Sequence, residues 1–229
     1  MSSITGIVRM HLRNRLSWFF TPAMMLCISF VITLFIGLLI GGDATTYSGA
    51  IASIYIYMFI LGIITLRETF PLALGFSVRR TDYFLGTLVT IVAVSAAWAI
   101  ALLLLAFIEN GLTRGWGIGL HFFYLPYVSD GPFGRPLGIY FVVLLHMYVL
   151  GFVIGSIFQR FGRAGMYVFF TIVFLLCSVG TVILTYFRWW GRLFGSLAGQ
   201  SAFTIALWLV PLIAVYAFIS YLLLRKATV

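Results

Sequence analysis

Lysine is all but missing from this 229-residue chain: the sole example, Lys226, stands between Arg225 and Ala227. A Walker-type phosphate loop needs a lysine after glycine to reach the nucleotide phosphates, so any ATP used with this protein is bound by another chain. Acidic residues are almost as scarce. The five present, Asp43, Glu68, Asp82, Glu109 and Asp130, lie scattered near the ends of apolar stretches, which denies an intramembrane enzyme its paired carboxylates or acidic metal motif. Serine chemistry fares no better: Ser156 follows His146 by ten residues on one predicted helix, about 15 Å along the axis and beyond proton transfer. The chain is therefore read as having no catalytic group, no metal site and no cofactor of its own. Cys27 and Cys177 both sit in apolar runs, where a thiol behaves as a small hydrophobe and reveals no redox compartment.

Charge as a whole is also lacking. Charged residues make up 8% of the chain against roughly a quarter in soluble domains. Hydrophobic residues reach 63% and mean hydropathy is +1.14, too little polarity to coat a globule in water. The net charge of +9 resides in arginines at the ends of apolar spans, where they meet anionic headgroups, so nucleic acid is not the expected partner. At about 20 residues per crossing, spans are predicted near 19–40, 49–66, 84–108, 138–157, 166–186 and 203–224. The breaks fall at Gly41-Gly42-Asp43, Arg67 to Asp82, Glu109 to Pro136, Gln159 to Gly165 and Arg188 to Gln200. The expected fold is all-α and polytopic, a single transmembrane domain of six helices.

Basic residues fix the orientation. One side collects Arg9, Arg13, Arg15, Arg67, Arg79, Arg80, Arg160, Arg163, Arg225 and Lys226; the other has only Arg114, Arg135, Arg188 and Arg192. The positive-inside rule then places both termini in the cytoplasm of a multi-pass plasma-membrane protein. The first apolar stretch is longer than a signal h-region and has no small-x-small cleavage site, so it is read as a retained span. Residues 1–17 form an interfacial amphipathic helix, with Ile4, Ile7, Val8 and Leu12 on one face and Arg9 and Arg13 opposite. The outer loops 109–137 and 187–202 are rich in Trp and Tyr, as suits an interface. Within them Glu109 is expected to pair with Arg114 or Arg135. Gly191, Gly195 and Gly199 predict a short helix packed against its neighbours, and Gly37-x-x-x-Gly41 and Gly151-x-x-x-Gly155 predict close helix approach inside the subunit.

The segment Arg67-Glu68-Thr69-Phe70-Pro71-Leu72-Ala73-Leu74-Gly75-Phe76-Ser77-Val78-Arg79-Arg80-Thr81-Asp82-Tyr83-Phe84-Leu85-Gly86 carries the most information. Pro71 suits the first turn of a short helix, Gly75 its left-handed end, and Ser77 the cap of a second helix. Leu72, Leu74 and Phe76 would then be apolar groups ringed by charge, either covered by a cytosolic partner or folded back on the headgroups. Arg67 and Glu68 are expected to pair with each other or with the N-terminal helix. The run from the charged pair to Leu85-Gly86 resembles the segment after the second span of type 2 ATP-binding-cassette permeases. That resemblance is strongest over residues 65–90.

The resemblance implies a half-transporter in which 67–83 is a coupling helix docked in a cytosolic ABC ATPase that binds ATP and magnesium. Glu68, Pro71, Leu72, Leu74, Phe76, Arg79, Arg80 and Asp82 would make the contact, with the leucines and phenylalanine as anchors. The outer loop 109–137 is longer and more aromatic than the family's simplest pattern. Function is read as ATP-driven export of an amphipathic or hydrophobic molecule through a homodimer or heterodimer of similar permeases. Phe30, Tyr55, Phe59, Trp98 and His146 are the candidates for the substrate path. The alternative classes are a non-transporting membrane subunit, such as an assembly or immunity factor, and the intramembrane enzyme already disfavoured.

Overall fold

A computed structural model of the chain describes residues 3–40, 45–129, 132 and 134–227; Gly41, Asp43 and Asp130 of the sequence analysis fall outside them. The architecture is all-α, with eight α-helices and one two-residue strand pair among the described residues. They are α1 (Ser3–Arg13), α2 (Thr21–Ile40), α3 (Ala52–Gly75), α4 (Arg80–Phe107), α5 (Pro126–Ser129), α6 (Gly134–Tyr186), α7 (Trp190–Ala198) and α8 (Ala202–Arg225). Strand β1 (Thr46–Tyr47) pairs in parallel with β2 (Leu120–His121).

Five helices among the described residues are long and apolar enough to cross a membrane by length and composition: Leu16–Leu39, Gly49–Gly75, Arg80–Leu112, Gly134–Tyr186 and Ala202–Arg225. The fourth accounts for the difference from six. Helix α6 is 53 residues long, about 80 Å of helix against a hydrocarbon core of about 30 Å. It contains both the fourth and the fifth predicted spans. Its backbone breaks at Gly162, at φ 64° and ψ −156°, a conformation essentially reserved for glycine. The break lies between Arg160 and Arg163, inside the predicted junction 159–165.

Packing centres on α3, α4 and the part of α6 before Gly162, which hold most of the buried residues. Small residues allow this contact. A Cβ on Gly62 would strike the Tyr148 carbonyl, and one on Gly151 the Phe59 carbonyl, so the two helices touch backbone to backbone as small-x-x-x-small faces do. The Gly151/Gly155 pair thus packs within the subunit, as expected. Gly151→Leu should force α3 and α6 apart at a cost of about 3 kcal/mol or more. A loss of folded protein on size-exclusion chromatography in detergent checks this, with Gly180→Leu, where a Cβ meets nothing, as the matched control.

The periphery is different. From Arg163 to Gly199 no side chain is buried. Helix α7 forms where the spaced glycines predicted a helix, but it does not pack against neighbours: it has no buried residue, and a Cβ at Gly191 or Gly195 would meet nothing within 4 Å.

Candidate functional site

The residues singled out between the second and third spans fold into the hairpin from α3 to α4. Pro71 does not begin a helix; α3 runs through it without interruption to Gly75. The left-handed residue is not Gly75 but Ser77, at φ 58°. Val78 N donates to the Ala73 carbonyl at 3.2 Å and Ser77 N to the Leu74 carbonyl at 2.9 Å, the two bonds of a Schellman close with Ser77 in the position glycine usually takes. Ser77 therefore terminates α3 and does not cap α4, whose N-cap is Arg79 with no side-chain cap bond. Asp82 supplies the acidic group that favours the first turn of α4.

Length makes the hairpin project. Gly49–Gly75 has 27 residues and Arg80–Leu112 has 33, about 40 and 50 Å of helix against an apolar depth of about 30 Å. At the tip Phe76 is 73% and Leu72 50% exposed, while Leu74 is partly buried against the core. Pro71, Arg67, Glu68 and Arg79 are exposed, and Arg80 and Asp82 half-buried. The expected pairing of Arg67 with Glu68 does not form: the one approach between a carboxylate and a basic group within 4.0 Å among the described residues is Glu109 with His121. Arg80 instead donates from Nη1 to the Arg225 carbonyl at 2.9 Å, which fastens the hairpin to the C-terminal end of α8, where a cation is electrostatically favoured.

Helix α1 lies beside this hairpin on α4. Gly86 lets it in, since a Cβ there would meet Ile7 Cβ at 2.7 Å. Ile7 and His11 are buried whereas Leu12 is exposed, so the apolar face predicted for lipid is divided, and its Ile7 side is spent on α4. Along the other side runs a continuous groove made of two adjoining cavities. One of ≈ 520 Å³ lies between Met10, Ala73, Phe76 and Val78, and one of ≈ 480 Å³ beside Arg13 and Asn14; Gly6, Arg9 and Met10 line both.

A polar chain locks these parts together. His11 Nε2 lies 3.1 Å from Thr87 Oγ1, whose single proton goes to the Tyr83 carbonyl at 2.8 Å. His11 must then be the donor, which leaves Nδ1 bare. Likewise Thr69 gives its proton to the Thr65 carbonyl at 2.6 Å, so Tyr83 donates to Thr69 at 2.7 Å. Trp18 stacks edge-on against His11 at 5.5 Å. It belongs to a π-helical turn, Leu16–Phe20, that joins α1 to α2. Such turns open the helical ladder, and here the Ser17 carbonyl accepts from Tyr57 and the Trp18 carbonyl from Trp98 Nε1 at 3.1 Å.

Burial lowers the His11 pKa from 6.5 to about 4. Between those values the undocked helix binds a proton and the docked one does not, so docking weakens as pH falls from 6.5 toward 4. The loss is on the order of 3 kcal/mol. Protease sensitivity of α1 should rise across that interval, and His11→Gln should flatten the rise.

The opposite end of the bundle holds a second buried assembly. Glu109, 0% exposed, does not pair with Arg114 or Arg135. Its carboxylate accepts from Trp116 Nε1 at 2.8 Å, Phe122 N at 2.9 Å, Phe123 N at 3.0 Å and Tyr124 N at 2.8 Å, with His121 Nδ1 at 3.7 Å. His121 in turn stacks on Tyr47 at 5.1 Å. Of the residues predicted for a substrate path, Tyr55 and Phe59 lie one turn apart on α3, and the others sit on different elements. Phe30 packs on Trp116, Phe122 and Phe123, Trp98 braces the π-turn, Tyr55 packs on the core, Phe59 is half-buried, and His146 lies against Tyr216 at 5.7 Å. Sequence reasoning missed His11, Trp18, Tyr57, Tyr83 and His121; an isolated His or Tyr in an apolar run gives no sign of its partner.

No family model, no curated protein and no solved structure matches the chain. The fold is that of an all-α protein with five helices, among the described residues, long and apolar enough to cross a membrane.

Proposed function

We propose that the chain is the permease subunit of an ATP-driven exporter, akin to type 2 ATP-binding-cassette permeases. A separate cytosolic ATPase binds ATP and magnesium and drives it. The observation that carries this reading is the α3–α4 hairpin: it outruns a bilayer, ends in an exposed Phe76 and Leu72 beside Arg79, and adjoins the α1 groove. Apolar anchors in a basic surround suit a protein partner, and burying each anchor contributes about 1.5–3 kcal/mol.

The hydrogen-bonded joints give a push on the hairpin somewhere to go. Force at Phe76 enters α3 and α4, passes through Tyr83, Thr87 and His11 to α1, and reaches α2 at the π-turn. Arg80 carries it to α8. Rigid elements joined at one weak turn are the means by which partner closure becomes tilting of a span. The length of α6 and its break at Gly162 favour two crossings there, hence six in all, and the basic residues gathered at the hairpin end favour that end as cytoplasmic. Because the space among α3, α4 and α6 is filled with side chains, the route for an amphipathic or hydrophobic cargo lies at the seam of a permease dimer.

Purification in mild detergent followed by mass identification of co-eluting soluble chains tests the proposal. A nucleotide-hydrolysing chain is expected in stoichiometric amount. A folded permease that elutes without one overturns the transporter reading in favour of a non-transporting subunit.

A further inference from the structure

Helix α7 presents a face that none of the described residues buries, though both its ends are held. Trp190 Nε1 donates to Thr185 Oγ1 at 3.0 Å at the close of α6, and Tyr127 donates to the Gln200 carbonyl at 2.8 Å beyond its C-terminus. Between these ties no residue is buried. At 100° per residue the nine-residue helix separates cleanly. Trp190, Leu193, Phe194 and Leu197 share one side, and Arg192 and Ser196 take the other with Gly191 and Gly195. Trp190 and Phe194 stack at 5.7 Å, and Phe194 is 59% exposed.

We propose that α7 is an interfacial anchor seated in an anionic lipid surface, its apolar side in the acyl boundary and Arg188 and Arg192 on lipid phosphates. Position argues first. The helix joins the ends of two apolar helices long enough to cross a membrane, α6 and α8, so it lies at the depth where hydrocarbon gives way to headgroups. Composition agrees, because Trp189 and Trp190 beside an arginine-bearing polar side is the pattern of helices that lie in that layer. Charge selects the lipid: Arg188 and Arg192 are exposed, and among the described residues no carboxylate lies within 4.0 Å of either, which leaves lipid phosphate as the counter-charge. A second copy is a poorer occupant, since one side of about 13 Å of helix falls short of the roughly 1,000 Å² a specific protein interface needs. This anchor is independent of whether an ATPase binds at the other end of the bundle.

The test uses the full chain with Cys27→Ser and Cys177→Ser, reconstituted in vesicles, with a nitroxide placed singly at position 197 or 196. In vesicles of phosphatidylcholine with phosphatidylglycerol, the label at 197 is expected to relax several-fold more with oxygen than with a water-soluble nickel chelate, and the label at 196 the reverse. The contrast should shrink in pure phosphatidylcholine and with Arg188→Gln and Arg192→Gln together. Equal nickel access at both positions would place the helix in water and overturn the proposal. So would shielding at 197 that disappears on dilution to one chain per vesicle, which would assign the face to a second copy. A contrast indifferent to phosphatidylglycerol would overturn the anionic-lipid assignment.

Discussion

Glu109→Leu is expected to dismantle the cap at the non-hairpin end of the bundle and to be the most destabilising single change in the chain. The substitution removes the acceptor from the indole of Trp116 and from the buried backbone amides of Phe122 and Phe123, and one bond from the Tyr124 amide. Hydrogen bonds to a charged group contribute about 1.5–3 kcal/mol each, and an orphaned buried donor costs about 1–3 kcal/mol. Even with partial relaxation the loss is on the order of 4–6 kcal/mol. Thermal unfolding in detergent reads this as a large fall in Tm. Glu109→Gln is the informative companion: one oxygen still serves the amides of 122–124, but the new NH2 faces another donor, so an intermediate loss is expected. Arg114→Ala and Arg135→Ala, by contrast, should change stability little, because neither arginine touches the carboxylate.

The second large effect concerns the hairpin tip. Leu72→Glu with Phe76→Glu should leave folding intact, since both side chains are already exposed. Binding to the partner ATPase should fall about 100-fold or more, as two apolar anchors at about 1.5–3 kcal/mol each are exchanged for carboxylates. Permease-dependent ATP hydrolysis should fall with it. Leu112→Glu, at an exposed position at the opposite end of the bundle, tests a different region and should not change partner affinity. Leu74→Glu is expected to behave differently from both, destabilising the fold because Leu74 is partly buried in the core.

Much of the helical layout is legible in the sequence because long apolar helices show as long apolar runs: the first and last expected spans lie within three residues of the helices at Leu16–Leu39 and Ala202–Arg225, whereas the second helix runs on to Gly75 and the fourth and fifth expected spans share Gly134–Tyr186. The α3–α4 hairpin also announces itself, through charge and proline within an otherwise apolar region. Its details do not. Pro71 reads as a helix start because proline is tolerated there, but a helix can also run through proline where one lost backbone bond is made good. Glycine at 75 reads as the left-handed residue, but Ser77 takes that conformation because the Schellman bonds to Ala73 and Leu74 compensate for its strain. The fourth and fifth spans read as separate because Gly162 and its arginines interrupt the hydropathy, and the backbone of α6 breaks at that glycine. Pairings were the least legible. Glu109 invites an arginine partner by charge, yet a backbone turn offering three amides and an indole satisfies four acceptor sites at once. His11 reads as one more residue on an amphipathic helix, and only the approach of α4 at Gly86 and Thr87 turns it into a buried donor.

The central claim is that the tip of the hairpin inserts into a nucleotide-hydrolysing chain. A photo-crosslinking amino acid at position 76, activated in native membranes, tests it most directly. The account predicts a single dominant adduct to a soluble ATPase, lost when the same group is placed at the core-facing position 73. Adducts only to lipid, or to a second copy of the permease, would contradict it.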